Sequence, residues 1–116
     1  MNKNSTSIII RNMDIAFIKK CIIERKVRWT YHINMRLEER FIDRENILNS
    51  IDNFEIIEDY PEDKYLPSCL VYSESKGKKF HMVIALDYDD GSIVTVTAYR
   101  PSEEKWNNDL KTRRKP

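Results

Sequence analysis

Glycine is nearly missing from this chain: two residues in 116. That leaves no Gly-rich loop to cradle a phosphate on backbone amides, and no GxGxxG or Walker-type pattern occurs. Cysteine is equally scarce. Cys21 and Cys69 lie far apart with no CxxC pair, so two buried free thiols are expected rather than a disulfide framework. With His32 and His81 they have the residue types of a zinc site, but the spacings fit no local zinc pattern, and no metal or cofactor is expected. Long apolar runs are absent too. Ile8–Ile10 is too short for a signal peptide or a membrane span, so a soluble cytoplasmic protein without membrane contact is expected. Ser/His/Asp chemistry has no support, because no GxSxG elbow is present.

What is present is a globular balance: 41% apolar and 34% charged residues in a length that fits one domain, 1–116, with one core. The net charge is only +1, but the signs are separated along the chain. Lys19, Lys20, Arg25, Lys26 and Arg28 cluster against Glu24, and the chain ends in KTRRKP. The acids gather in Asp52–Asp63 and Asp87–Asp90. Such a distribution suggests a dipolar molecule with one anion-facing side.

The hydrophobic period changes once. Residues 1–10 read as loosely packed. Asn12 or Asp14 can start a first helix, with Ile15, Ile18, Cys21 and Ile22 on its apolar side, ending near Val27-Arg28. Thr30 reads as the N-cap of a second helix. On it, Ile33 and Leu37 form the core stripe, His32, Arg36 and Arg40 form a stripe at the rim, and Glu39 can pair with Arg36. Asp43 caps a third helix, with Ile42 and Ile47 at the positions of a hydrophobic staple. Beyond Asn53 the pattern is that of strands: Phe54–Tyr60, Cys69–Ser73, Phe80–Asp87 and Ile93–Tyr99, with turns at Gly77 and Asp89-Asp90-Gly91. A short C-terminal helix is expected around Ser102–Leu110, anchored by Trp106 and followed by the basic tail. The sum is an α+β fold, with N-terminal helices packed on one face of a four-stranded antiparallel sheet.

Several residue types here suit RNA chemistry. Cleavage by RNA's own 2′-hydroxyl needs a base, an acid and cations for the charge growing on the phosphorus. Histidine titrates near neutrality, and the arginine fork can take two phosphate oxygens. The candidates for catalysis are His32, Arg36, Arg40, His81 and Tyr99, with Arg100, Lys105, Arg113 and Arg114 extending an RNA-binding surface. His81 and Tyr99 fall on neighbouring strands, and whether they share a face depends on register. Each also has a plain structural reading: a core histidine, surface ion pairs, a packing tyrosine.

The run HINMRLEERFI from His32, then EIIEDYP from Glu55, CLVY, KKFHMVIA and IVTVTAYRP together resemble domain-of-unknown-function family 4258, over roughly residues 28–114. Residues 1–27 form a helical extension largely outside the match. The resemblance implies a RelE-like fold of the barnase–EndoU–colicin–RelE type. It also implies a ribonuclease toxin of a bacterial toxin–antitoxin pair, acting without a metal on messenger RNA, including RNA on the ribosome. The implied partner is an antitoxin, in some members of a zinc-finger type. The family's helical histidine and arginines match His32, Arg36 and Arg40, its strand histidine matches His81, and its terminal tyrosine and proline match Tyr99 and Pro101. The alternative is a non-catalytic RNA-binding or protein-interaction module on the same fold.

Overall fold

The computed structural model describes residues 3–40 and 42–115. In chain order they form α1 (Lys3–Ile23), β1 (Val27–Trp29), α2 (Tyr31–Glu39), α3 (Arg44–Asn49), a 3-10 turn (Ile51–Asn53), β2 (Glu55–Tyr60), β3 (Ser68–Ser75), β4 (Lys78–Asp87) and β5 (Ser92–Tyr99). The fold is α+β, as the change of period implies. The described sheet is five-stranded and mixed, in the order β1-β5-β4-β3-β2, and not the expected four-stranded antiparallel one. The added strand is β1, which runs parallel to β5 with Val27 beside Ile93 and Trp29 beside Thr95. Three residues are too few to show a strand period, so Val27-Arg28 reads in the sequence as the tail of a helix.

The local signals explain most element boundaries. The Thr30 hydroxyl accepts from the Ile33 amide at 3.1 Å, and the Asp43 carboxylate accepts from the Glu45 amide at 2.9 Å, so both expected caps form. Ile42 and Ile47, on either side of the Asp43 cap, are both buried. Lys76 and Gly77 both take positive φ, 53° and 80°, which fits a two-residue β3–β4 hairpin to the twist of its strands. Helix α1 differs from expectation. It begins at Lys3 rather than near Asn12 and stops at Ile23, so the stretch expected to be loosely packed is helical from residue 3. The expected pairing of Glu39 with Arg36 rests on a side chain outside what is described.

All three helices pack on one sheet face. Ile18 and Cys21 of α1, Ile33 and Leu37 of α2, and Ile42 and Ile47 meet Ile56, Cys69, Val71, Phe80, Met82, Ile84, Leu86, Ile93 and Ala98. Fully burying each large aliphatic side chain is worth about 1.5–3 kcal/mol, so this layer carries most of the stability.

The opposite face is crossed by the segment after β5, where the sequence had suggested a short helix. Residues 102–110 form turns instead, and Trp106 makes an isolated antiparallel bridge with Arg113. The reason is local competition for backbone amides. Asp109 accepts from the Lys111 and Thr112 amides at 2.9 and 3.1 Å, while Leu110 takes a left-handed φ of 60°. An Asn-Asn-Asp run spends its polar groups on turns more readily than on a helix interior.

Candidate RNA-binding cleft

Two β-bulges decide what reaches the open face of the sheet. In β5, strict alternation from Ile93 would send Tyr99 to the helix-covered side. The register instead shifts between Val83 and Ile84, with Val96 as the extra residue, and Tyr99 emerges opposite His81. In β2, alternation from Ile56 would bury Glu58. A shift between Ile56 and Glu58 puts Glu58 opposite Leu70, on the open face. The row Glu55, Tyr72, His81, Tyr99 then crosses four strands on that face.

His81 is fully buried (0% exposed). Its Nε2 lies 2.6 Å from the Leu110 carbonyl oxygen and its Nδ1 lies 3.2 Å from the Tyr99 hydroxyl. A carbonyl only accepts, so Nε2 carries the proton and, in the neutral ring, Nδ1 accepts from Tyr99. Trp106 packs edge-on to the imidazole at 4.5 Å between ring centres. Burial pulls the His81 pKa down, opposed by the hydrogen bond to Leu110 and the charge of Glu58, so the ring is neutral at pH 7. Burial also raises the pKa of Tyr99.

Beside this pair opens a cleft of about 700 Å³ lined by Arg40, Tyr99, Arg100, Ser102, Lys105, Trp106 and Arg113. Among the described residues the lining thus carries four cationic side chains and no carboxylate. Arg40, at the C-cap of α2, donates to the Ala98 carbonyl and so ties the helix end to β5. Arg113 stacks over the Trp106 ring at 4.7 Å and donates through Nε and Nη2 to the Glu58 carboxylate at 2.7 and 3.0 Å. Burial by itself would raise the Glu58 pKa, yet hydrogen bonds from Arg113 and Tyr60 hold it below the ordinary value. Burial and the neighbouring Glu58 push the Tyr60 phenol up to about 12.

Of the sequence candidates, the structure brings Arg40, Tyr99, Arg100, Lys105 and Arg113 to the cleft, with His81 directly behind Tyr99. His32 is exposed on α2 and does not line the cleft, and neither does Arg36. Arg114 is turned to the Glu103 carbonyl and to Asn108. Sequence reasoning missed Glu58 and Tyr60, which brace the cleft, and Ser102 in its wall. For Glu58 and Tyr60 the only signal was membership of the EIIEDYP stretch, whose alternation pointed Glu58 the wrong way. Among the described residues no three of His, Cys, Asp and Glu converge as metal ligands, so Cys21, His32, Cys69 and His81 form no common site. Also among them, no helix is long and apolar enough to cross a membrane.

The model of one family, Domain of unknown function (DUF4258), matches residues 29–100. No curated protein and no solved structure gives a significant match. The match spans more than half of the chain, from the last residue of β1 to just past β5, and the chain belongs to that family.

Proposed function

We propose that this member of the family is a metal-independent endoribonuclease of RelE-like fold, acting as the toxin of a toxin–antitoxin pair. One observation carries the reading: a cleft whose described lining holds four cations and no carboxylate, entered by a tyrosine whose hydroxyl is held by a buried neutral imidazole. Guanidinium groups suit a phosphodiester because they present paired donors and keep their charge.

The arrangement supports a relay. With its own proton directed at His81 Nδ1, the Tyr99 oxygen offers lone pairs to the cleft. A ribose 2′-hydroxyl placed there gives its proton to Tyr99 as Tyr99 gives its own to His81. The 2′-oxygen bonds to phosphorus, the P–O5′ bond breaks, and the leaving oxygen takes a proton from the ammonium of Lys105, one of the cations that line the cleft. The Leu110 carbonyl, already bonded to Nε2–H, stabilises the imidazolium formed. Arg40, Arg100 and Arg113 stabilise the charge on the phosphorane. Helices on one face and an open, cation-rich other face also accord with the RelE-like reading. An antitoxin of acidic surface would cover the same cleft.

The second reading is RNA binding without cleavage. It is favoured by the complete burial of His81, which meets the cleft through Tyr99. End-labelled RNA incubated with purified protein in EDTA separates the two. Fragments ending in 2′,3′-cyclic phosphate are expected. Intact RNA with salt-sensitive binding selects the second reading, and intact RNA without binding removes both.

A further inference from the structure

Arg113 is a cleft cation with a bidentate carboxylate partner, and the geometry of that pair is informative. Glu58 takes one edge of the guanidinium, Nε and one N–H of Nη2. A guanidinium has five N–H donors; two go to Glu58 and the Tyr60 hydroxyl also meets the group, which leaves at least two for an anion. The face of the group is fixed by the Trp106 ring, 4.7 Å away. Glu58 is itself held by the Tyr60 hydroxyl, and its side chain is only 23% exposed, whereas that of Arg113 is 56% exposed. The better buried partner is therefore the anchor and the more exposed one the presented group. Neighbouring turns brace the segment that carries Arg113: Lys111 pairs with Glu55 at 2.9 Å and lies over the Tyr72 ring, and Leu110 is bonded to His81.

We propose that Glu58 is a positioning residue of the cleft, gripping Arg113 by one edge so that its remaining N–H groups form a fixed fork for an inter-nucleotide phosphate. The inference deepens the RNA reading and rests on it for the identity of the ligand, though not for the anion site itself. Glu58 and phosphate bind Arg113 together; Glu58 is not a stand-in that phosphate displaces. The distinction has a sign. Removing a carboxylate beside a polyanion site strengthens binding on Coulomb grounds alone, whereas removing a positioning partner weakens it.

The test has two arms. In the first, the Arg113 Nε–H signal is followed by NMR as inorganic phosphate is added to the wild-type chain. Positioning predicts that the bond to Glu58 persists while the Nη signals shift; loss of the Nε–H bond, or no response at all, overturns the proposal. In the second, a labelled octauridylate is titrated against wild type, Glu58→Gln, Arg113→Lys and the double variant, with thermal melting confirming the fold. Glu58→Gln and Arg113→Lys are each expected to weaken binding about tenfold, the scale of a lost charge-assisted hydrogen-bond pair. Adding Glu58→Gln to Arg113→Lys should then strengthen binding, because only the Coulomb term is left. Equal weakening in both backgrounds means general structural damage and overturns the proposal, as does tighter binding by Glu58→Gln alone. A phosphate response in the first arm with no RNA binding in the second leaves Glu58 as the positioning residue and removes RNA as the ligand.

Discussion

His81 and Tyr99 stand directly opposite one another on β4 and β5, the imidazole Nδ1 3.2 Å from the phenol oxygen, with no side chain of the helix layer between them. The far side of the ring is closed by the Leu110 carbonyl and by Trp106, so among the described residues this pair opens through Tyr99 toward the cleft. The proposed proton relay and local stability therefore draw on the same ring.

The stability consequence is a pH dependence. His81 is held neutral in the fold and has its ordinary pKa of 6.5 when unfolded. Below pH 6.5 the unfolded chain therefore takes up the proton more readily than the native one, and stability falls as pH drops toward the lower native value. Above pH 6.5 this contribution is complete. The Glu58 carboxyl titrates from below 4.5 and adds its own loss only at more acid pH. Urea melts at a series of pH values should show the decline beginning near 6.5. His81→Gln should lower stability by about 2–3 kcal/mol and flatten the slope in that window. A wild-type curve that is flat from pH 7 to about 5 contradicts the buried neutral ring.

Tyr99→Phe removes one oxygen and little volume. If Tyr99 passes the 2′-hydroxyl proton to His81, cleavage should drop by about 100-fold or more. Affinity for RNA should stay within about twofold, since no cation is altered. Gel analysis of cleavage beside an anisotropy titration reads both quantities on one preparation. Wild-type cleavage rates in the phenylalanine variant would remove Tyr99 from the chemistry.

Much of this architecture is legible in the sequence. Caps at Thr30 and Asp43 bond their backbone amides within three residues, so short-range sequence suffices to place them. The strands β2–β5 and the residues that carry the cations were equally readable. The bulges were not. Val96 is one β-branched residue among several in IVTVTAY, and nothing nearby marks it as the extra one, yet it decides which face Tyr99 meets. Strand β1 depends on a partner 66 residues away, and the C-terminal turns depend on Asp109 outcompeting a plausible helix pattern. The stripe His32, Arg36, Arg40 was legible as a stripe, but only its last member reaches the cleft.

Salt dependence tests whether the cleft meets a phosphate backbone. Each cation that neutralises a phosphate contributes about 0.9 to the log–log salt slope on duplex and about 0.7 on single strands. Arg40→Ala and Lys105→Ala should each reduce the slope by about that amount on a single-stranded probe. Arg40→Ala should also cost some stability, because it releases the Ala98 carbonyl at the α2–β5 junction. Lys105 is exposed and should leave melting unchanged. Slopes identical to wild type for both variants would mean that RNA binds elsewhere.

His32 is the sharpest discriminator between two placements of the chemistry. A sequence stripe makes it the natural partner of Arg36 and Arg40, whereas the fold leaves it exposed on α2 and outside the cleft lining. If the relay through Tyr99 is the working path, His32→Ala should cleave RNA at the wild-type rate and melt within about 0.5 kcal/mol of it, as exposed substitutions away from special features do. Side-by-side time courses of His32→Ala and Tyr99→Phe decide the matter. Loss of cleavage in His32→Ala with full activity in Tyr99→Phe would move the reaction to the surface of α2 and leave the cleft as a binding site for flanking backbone. Loss in Tyr99→Phe alone keeps it at the sheet, where the β5 bulge has brought phenol, imidazole and cations together.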